Sequence, residues 1–187
     1  MNKSYFYLVM KTHELEVPYT GKLRRVRVLL PKNYETDTDR SYPVVYFHDG
    51  QNVLYSKESF SGYSWKIIPT IKRNPDISRM IVVAIDNDGP ARMNEYSAWK
   101  YQESNIPGVQ FGGKGVEYAE FVMDVVKPFI DKEYRTLPDR QHTAMIGSSL
   151  GGNITQFMGL DYKDQIGCLG VFSSANWLHQ EAFDRYI

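Results

Sequence analysis

Cysteine is nearly absent from this chain of 187 residues. Cys168 stands alone, which excludes an intrachain disulfide and suits a reducing compartment. Long apolar runs are absent too. The stretch Tyr5 to Met10 is closed by Lys11 and followed by acidic residues. It is too short for a signal-peptide core or a membrane span, so the expected location is cytoplasmic, with no membrane partner. Charge of one sign is also missing: 22 basic side chains face 22 acidic ones, so no nucleic-acid surface is advertised. Asp86-Asn87-Asp88-Gly89 lacks the remaining ligands and the distal glutamate of a calcium loop. Gly112-Gly113-Lys114-Gly115 lacks the spacing and the Ser/Thr of a phosphate loop, and Gly147 to Gly152 carries serine where a dinucleotide fingerprint needs glycine. No metal and no cofactor are expected.

What is present is a globular composition, 42% apolar and 14% aromatic, long enough for one domain over residues 1–187. Tyr5 to Met10 reads as a first strand. Leu23 to Leu30 alternates, with Val26, Val28 and Leu30 on one face and Arg25, Arg27 and Leu29 on the other. That is the pattern of a strand with one covered face near a sheet edge. Pro43 to Phe47, Met80 to Ile85 and Thr143 to Ile146 are continuous apolar runs, as in strands covered on both faces. Helical spacing appears at Trp65 to Lys72 and most clearly at Val116 to Tyr134, where Pro128 is expected to kink or divide the helix. A further strand is expected at Ile166 to Phe172 and a last short helix at Trp177 to Tyr186. Residues 86–113 show no strong periodicity, and a loop of that length is usually a lid or binding loop.

His142 to Gly152, HTAMIGSSLGG, is the informative stretch. It runs from a strand through Gly147-Ser148-Ser149-Leu150-Gly151 into a helix expected from about Gly151 to Asp161. In that context G-x-S-x-G means a nucleophile elbow. The turn strains the backbone of the central residue, and a side chain at either glycine would crowd the strand–helix crossing. Ser149 is then the expected nucleophile of an ester-cleaving enzyme, and the N–H of Leu150 opens a helix where it would meet a developing oxyanion.

This alternation of strands and helices around G-x-S-x-G resembles the α/β-hydrolase fold. Pro43 to Asn52, Ser64-Trp65, Ile85-Asp86-Asn87 with Arg92, Glu95 and Tyr96, Pro128-Phe129-Ile130 and Ile146 to Gly152 narrow the resemblance. They point to its esterase branch, which holds enterochelin esterases, S-formylglutathione hydrolases, feruloyl esterases and mycolyltransferases. The resemblance covers nearly the whole chain in family order. It implies a mostly parallel central sheet with an antiparallel N-terminal edge, a small-molecule ester as substrate, and the backbone N–H of Gln51 as second oxyanion donor beside Leu150. Trp65, Trp99 and Tyr101 sit on loops expected at the carboxyl ends of strands, where they would line a substrate pocket or pack the loops.

One departure from the pattern stands out. Family order is serine, acid, histidine, yet only 38 residues follow Ser149. Two more strands and helices would need about 50 residues more. The expectation is the N-terminal part of a longer hydrolase, without the last strands and without its acid and histidine. Catalytic inactivity (a fragment or binding module) is the alternative, and acyl transfer a third option. The strand at Ile166 to Phe172 would then be an open apolar edge inviting self-association. His179, alone after the serine, is read as an ordinary polar residue of a short helix, and Asp161, Asp164 and Asp184 as solvated surface. His48 is expected to hold the oxyanion loop by a hydrogen bond, and His13 and His142 to be structural. Arg92 and Glu95 are expected to pair with each other, and Cys168 to be a small buried hydrophobe.

Overall fold

A computed structural model describes residues 9–102 and 110–187. Strand β1 (Val9–Val17) and strand β2 (Lys22–Leu30) form an antiparallel hairpin. Strand β3 (Val44–Phe47) leads into a single helical turn, α1 (Gly50–Val53), and helix α2 (Ile67–Arg73) precedes strand β4 (Ile81–Ile85). Next come the short helix α3 (Arg92–Glu95), a ribbon of β5 (Lys100–Gln102) and β6 (Gln110–Gly112), and helix α4 (Gly115–Glu120). A π-helical segment, Phe121–Val126, joins α4 to α5 (Lys127–Glu133). Strand β7 (Thr143–Ser148), helix α6 (Leu150–Asp161), strand β8 (Cys168–Phe172) and helix α7 (Gln180–Tyr186) complete the described chain.

The main sheet has the order β1-β2-β4-β3-β7-β8. β3, β4, β7 and β8 run parallel, and β2 joins β4 antiparallel. Its two faces carry separate apolar clusters. One face packs Val26, Val28, Leu30, Tyr46, Val83 and Met145 under the helices around Tyr118, Phe121, Ile130 and Ile154. The other packs Leu29, Phe47, Val82 and Ala84 against Val53, Leu54 and α2. Among the described residues no helix is long and apolar enough to cross a membrane.

Several expectations need correction. Among the described residues the first strand runs from Val9 to Val17, well past the expected end at Met10, and Tyr5 to Leu8 of the expected strand lie outside the described residues. β2 is covered on both faces: Val26, Val28 and Leu30 face one apolar cluster and Leu29 the other, and Arg24 and Arg27 are buried with Glu95 and Asp86 beside them. The unpatterned stretch 86–113 contains α3 and the β5–β6 ribbon; residues 103–109 lie outside the described residues. The expected division of the helix at Pro128 is present: α5 starts at Lys127, with the proline in its first turn, after the π-helical segment. The π-helical turns widen the backbone just before the proline, where its ring would meet a carbonyl and its missing N–H would leave one unpaired. Cys168 is exposed, since β8 is the outer strand and leaves it uncovered.

Candidate active site

The site begins at the end of β7, whose Ser148 pairs with Phe172 of β8. The next residue, Ser149, has φ 57° and ψ −125°, a conformation that non-glycine residues rarely adopt. Such a residue stores about 1–3 kcal/mol and persists only where its surroundings enforce it. They do so here. The Ser149 N–H donates to the Phe172 carbonyl at 3.0 Å, and its own carbonyl accepts from Gly152 N at 2.9 Å and Asn153 N at 3.1 Å. Glycines give the turn its room: a Cβ at Gly147 would collide with the Gly151 carbonyl, and one at Gly151 would lie 3.1 Å from Asp49 Oδ2. The Ser149 side chain is exposed while Leu150 beside it is buried. As the first residue of α6, Leu150 has no acceptor for its N–H within the helix.

Ser149 opens onto a cleft of about 380 Å³, bounded by Asp49, Asn52, Phe60, Tyr63, Trp65, Arg92 and Ser148. The loop after β3 forms its opposite wall and is held by a dense polar network. Asp49 has φ 56°, and its N–H donates to Tyr96 Oη at 3.0 Å. Its carboxylate accepts from Arg92 Nε at 2.7 Å, Arg92 Nη2 at 2.8 Å and Asn87 Nδ2 at 2.6 Å. The Gln51 side chain clasps the backbone of Asn87, accepting its N–H at 3.0 Å and donating to its carbonyl at 3.4 Å. Directly beneath, buried His48 meets Tyr118 Oη through Nδ1 at 2.8 Å, and burial pushes its pKa down to about 4. It is therefore a neutral structural imidazole above that pH.

Of the residues singled out from sequence, Ser149 and Trp65 meet in the cleft, Trp65 packing edge-on against Phe47 and Phe172. Trp99 and Tyr101 go elsewhere. Trp99 packs on Phe157, Phe183 and Tyr186, and Tyr101 on Phe111 and His179, because the ribbon that carries them folds over α6 and α7. Arg92 and Glu95 do not pair with each other. Four residues of helix turn them to different partners, Arg92 to Asp49 and Glu95 to buried Arg24 at 2.8 Å. His13 bonds Tyr134 Oη at 2.5 Å and His142 bonds Asp139, while His179 is buried with Nε2 unpaired. Sequence reading missed Asn52, Phe60 and Tyr63. Their signal was available: an aromatic–serine stretch, Phe60 to Ser64, immediately after the loop that faces the serine. Among the described residues no cluster of His, Cys, Asp and Glu has the makings of a metal site.

A mostly parallel sheet with an antiparallel edge, its central strand turning into a helix at Ser149, has the architecture of the α/β-hydrolase fold. The chain belongs to the Esterase family, whose model, described as "Putative esterase", matches residues 18–186. An uncharacterized protein, YbbA of Bacillus subtilis, is 26% identical over 159 residues, covering 85% of this chain and 60% of its own length. An endo-1,4-beta-xylanase/feruloyl esterase of Xylanibacter ruminicola is 25% identical over 88% of this chain and 21% of its own. An IroE-like serine hydrolase from Shewanella oneidensis superposes with a TM-score of 0.77 at 19% identity, over 95% of this chain and 54% of that one. The chain thus spans less than two thirds of the length of each of these relatives.

Proposed function

We propose that this chain carries the nucleophile of a serine carboxylic-ester hydrolase. Ser149 Oγ attacks the ester carbonyl, the alcohol leaves with a proton, and water then cleaves the acyl-enzyme to free the acid. The tetrahedral oxyanion is held by the backbone N–H groups of Leu150 and Gln51, each donor worth about 2.7–4 kcal/mol of barrier. The general base and its acid belong, in this reading, to sequence beyond these residues, as the longer relatives allow. The observation that carries the proposal is the backbone of Ser149: φ 57° costs energy, and it presents an exposed hydroxyl at the mouth of a cleft.

A second reading, a catalytically silent member of the fold, has one observation in its favour. Among the described residues Ser149 Oγ has no hydrogen-bond partner, and an unassisted serine is a weak nucleophile. Fluorophosphonate labelling followed by peptide mapping, with hydrolysis of short p-nitrophenyl esters, separates the two. The expected result is an adduct on Ser149 and turnover abolished by Ser149→Ala, both in the protein extended to the length of its relatives. Turnover that survives Ser149→Ala refutes the nucleophile. Product partitioning towards added alcohols would identify an acyltransferase instead.

A further inference from the structure

At the other end of the sheet lies a cavity of about 350 Å³, within the range of roughly 300–1,000 Å³ typical of small-molecule sites. Its floor is Leu29 and Val82, partners across the β2–β4 ladder, and its walls include Ile71 of α2 and Met80. In register, Val82 lies beside Val45, which lies beside Ala144, so Ser149 is five residues farther along the strand direction. At 3.3 Å per residue that is about 16 Å away. The two openings are therefore distinct.

The chemistry of the lining is one-sided. Every charged residue in it is basic: Lys32, Lys72 and Arg79. Lys72 and Arg79 are exposed, and neither enters a salt bridge among the described residues. Apolar walls beneath the exposed cations Lys72 and Arg79 match a ligand with one anionic end and one alkyl end. A nucleotide would find no aromatic ring to stack on and no glycine-rich backbone around its phosphates. A dicarboxylate would have to strip water from a second charge against leucine, valine and isoleucine, which is strongly unfavourable.

We propose that this cavity binds a free medium-chain monocarboxylate, its alkyl chain against Leu29, Val82 and Ile71 and its carboxylate between Lys72 and Arg79. The proposal does not rest on the ester-cleaving reading. Calorimetric titration of the protein with octanoate, kept below its micellar concentration, tests it. Saturable binding is expected, with 1-octanol about tenfold or more weaker because it lacks the charge-assisted contacts. Lys72→Glu/Arg79→Glu, two exposed changes that spare the core, are expected to weaken octanoate by at least as much. Met80→Trp is expected to fill the cavity and abolish binding. Ser149→Ala is expected to leave binding unchanged. No saturable binding of octanoate, equal affinity for 1-octanol, or undiminished binding by the double variant would overturn the proposal. Loss of binding in Ser149→Ala would move the ligand to the other cleft and overturn it as well.

Discussion

Replacing Asp49 with asparagine isolates the electrostatic part of the loop that faces Ser149. Asparagine tolerates a positive φ nearly as well as aspartate, so the 56° backbone is not penalised. What changes is charge. Asp49 is 7% exposed on its side chain and Arg92 24%, and two parallel hydrogen bonds at 2.7 and 2.8 Å join them. Removing one partner from a fully buried pair costs about 3–5 kcal/mol. Because water reaches part of the guanidinium, a smaller value, about 2–3 kcal/mol, applies here. Asn87 Nδ2 also loses its anionic acceptor at 2.6 Å. For a domain of this size the loss lowers the melting temperature by about 4–12 °C. The effect should be local before it is global, so amide exchange should accelerate first at residues 48–53 and 86–95. Urea unfolding with exchange mass spectrometry measures both. An Asp49→Asn protein within about 0.5 kcal/mol of the parent, with unchanged exchange in those segments, would refute the argument that this ion pair sets the loop.

Ser149→Gly relieves the positive φ and is expected to be about 1 kcal/mol more stable than Ser149→Ala, read from their urea midpoints; equal midpoints would remove the strain argument. His48 supplies a pH dependence. Burial lowers its folded pKa from 6.5 to about 4, so the stability it contributes is complete above the unfolded value and is lost as pH falls from 6.5 towards 4. The loss amounts to about 3 kcal/mol by linkage, and His48→Gln should flatten that part of the stability–pH curve. Breaking the buried Arg24–Glu95 pair with Glu95→Gln should cost about 3 kcal/mol or more, because both side chains are almost fully covered and Tyr19 Oη also donates to Glu95; a denaturant midpoint close to the parent's would contradict this. Residues 1–187 taken alone, with Leu169, Val171 and Phe172 exposed on β8, the outer strand among the described residues, should self-associate at high concentration, and Val171→Lys should suppress this in light scattering.

Sequence patterns located the strands of the parallel core because burial on both faces writes continuous apolar runs, as at Val44–Phe47 and Ile81–Ile85. The turn at Ser149 was legible for a local reason: Gly147 is required by the Gly151 backbone four residues on, although Gly151 itself makes room for Asp49, far away in sequence. Partners at long range were not legible. The spacing of Arg92 and Glu95 suggested an ion pair with each other, but the choice was made by Asp49 and Arg24, which the sheet brings near from distant positions. Arginines 25 and 27 looked like a solvated face until Asp86 and Glu58 were placed over them. Trp99 and Tyr101 shared a loop of the right kind with the wrong destination, since the path of the β5–β6 ribbon depends on α7.

The strand order also bears on when Ser149 acquires its conformation as the protein folds. β7 has no neighbour close in sequence on its inner side: it pairs with β3 through Val44 and Thr143, drawn from opposite halves of the chain. Its outer neighbour, β8, supplies the carbonyl that fixes the Ser149 amide. Both long-range pairings must close before the strained turn has anything to hold it. Distant closures of this kind are slow, so the backbone at Ser149 should be among the last parts of the chain to become native. Hydrogen-exchange pulses during refolding would then find the β1–β2 hairpin protected well before the first turn of α6.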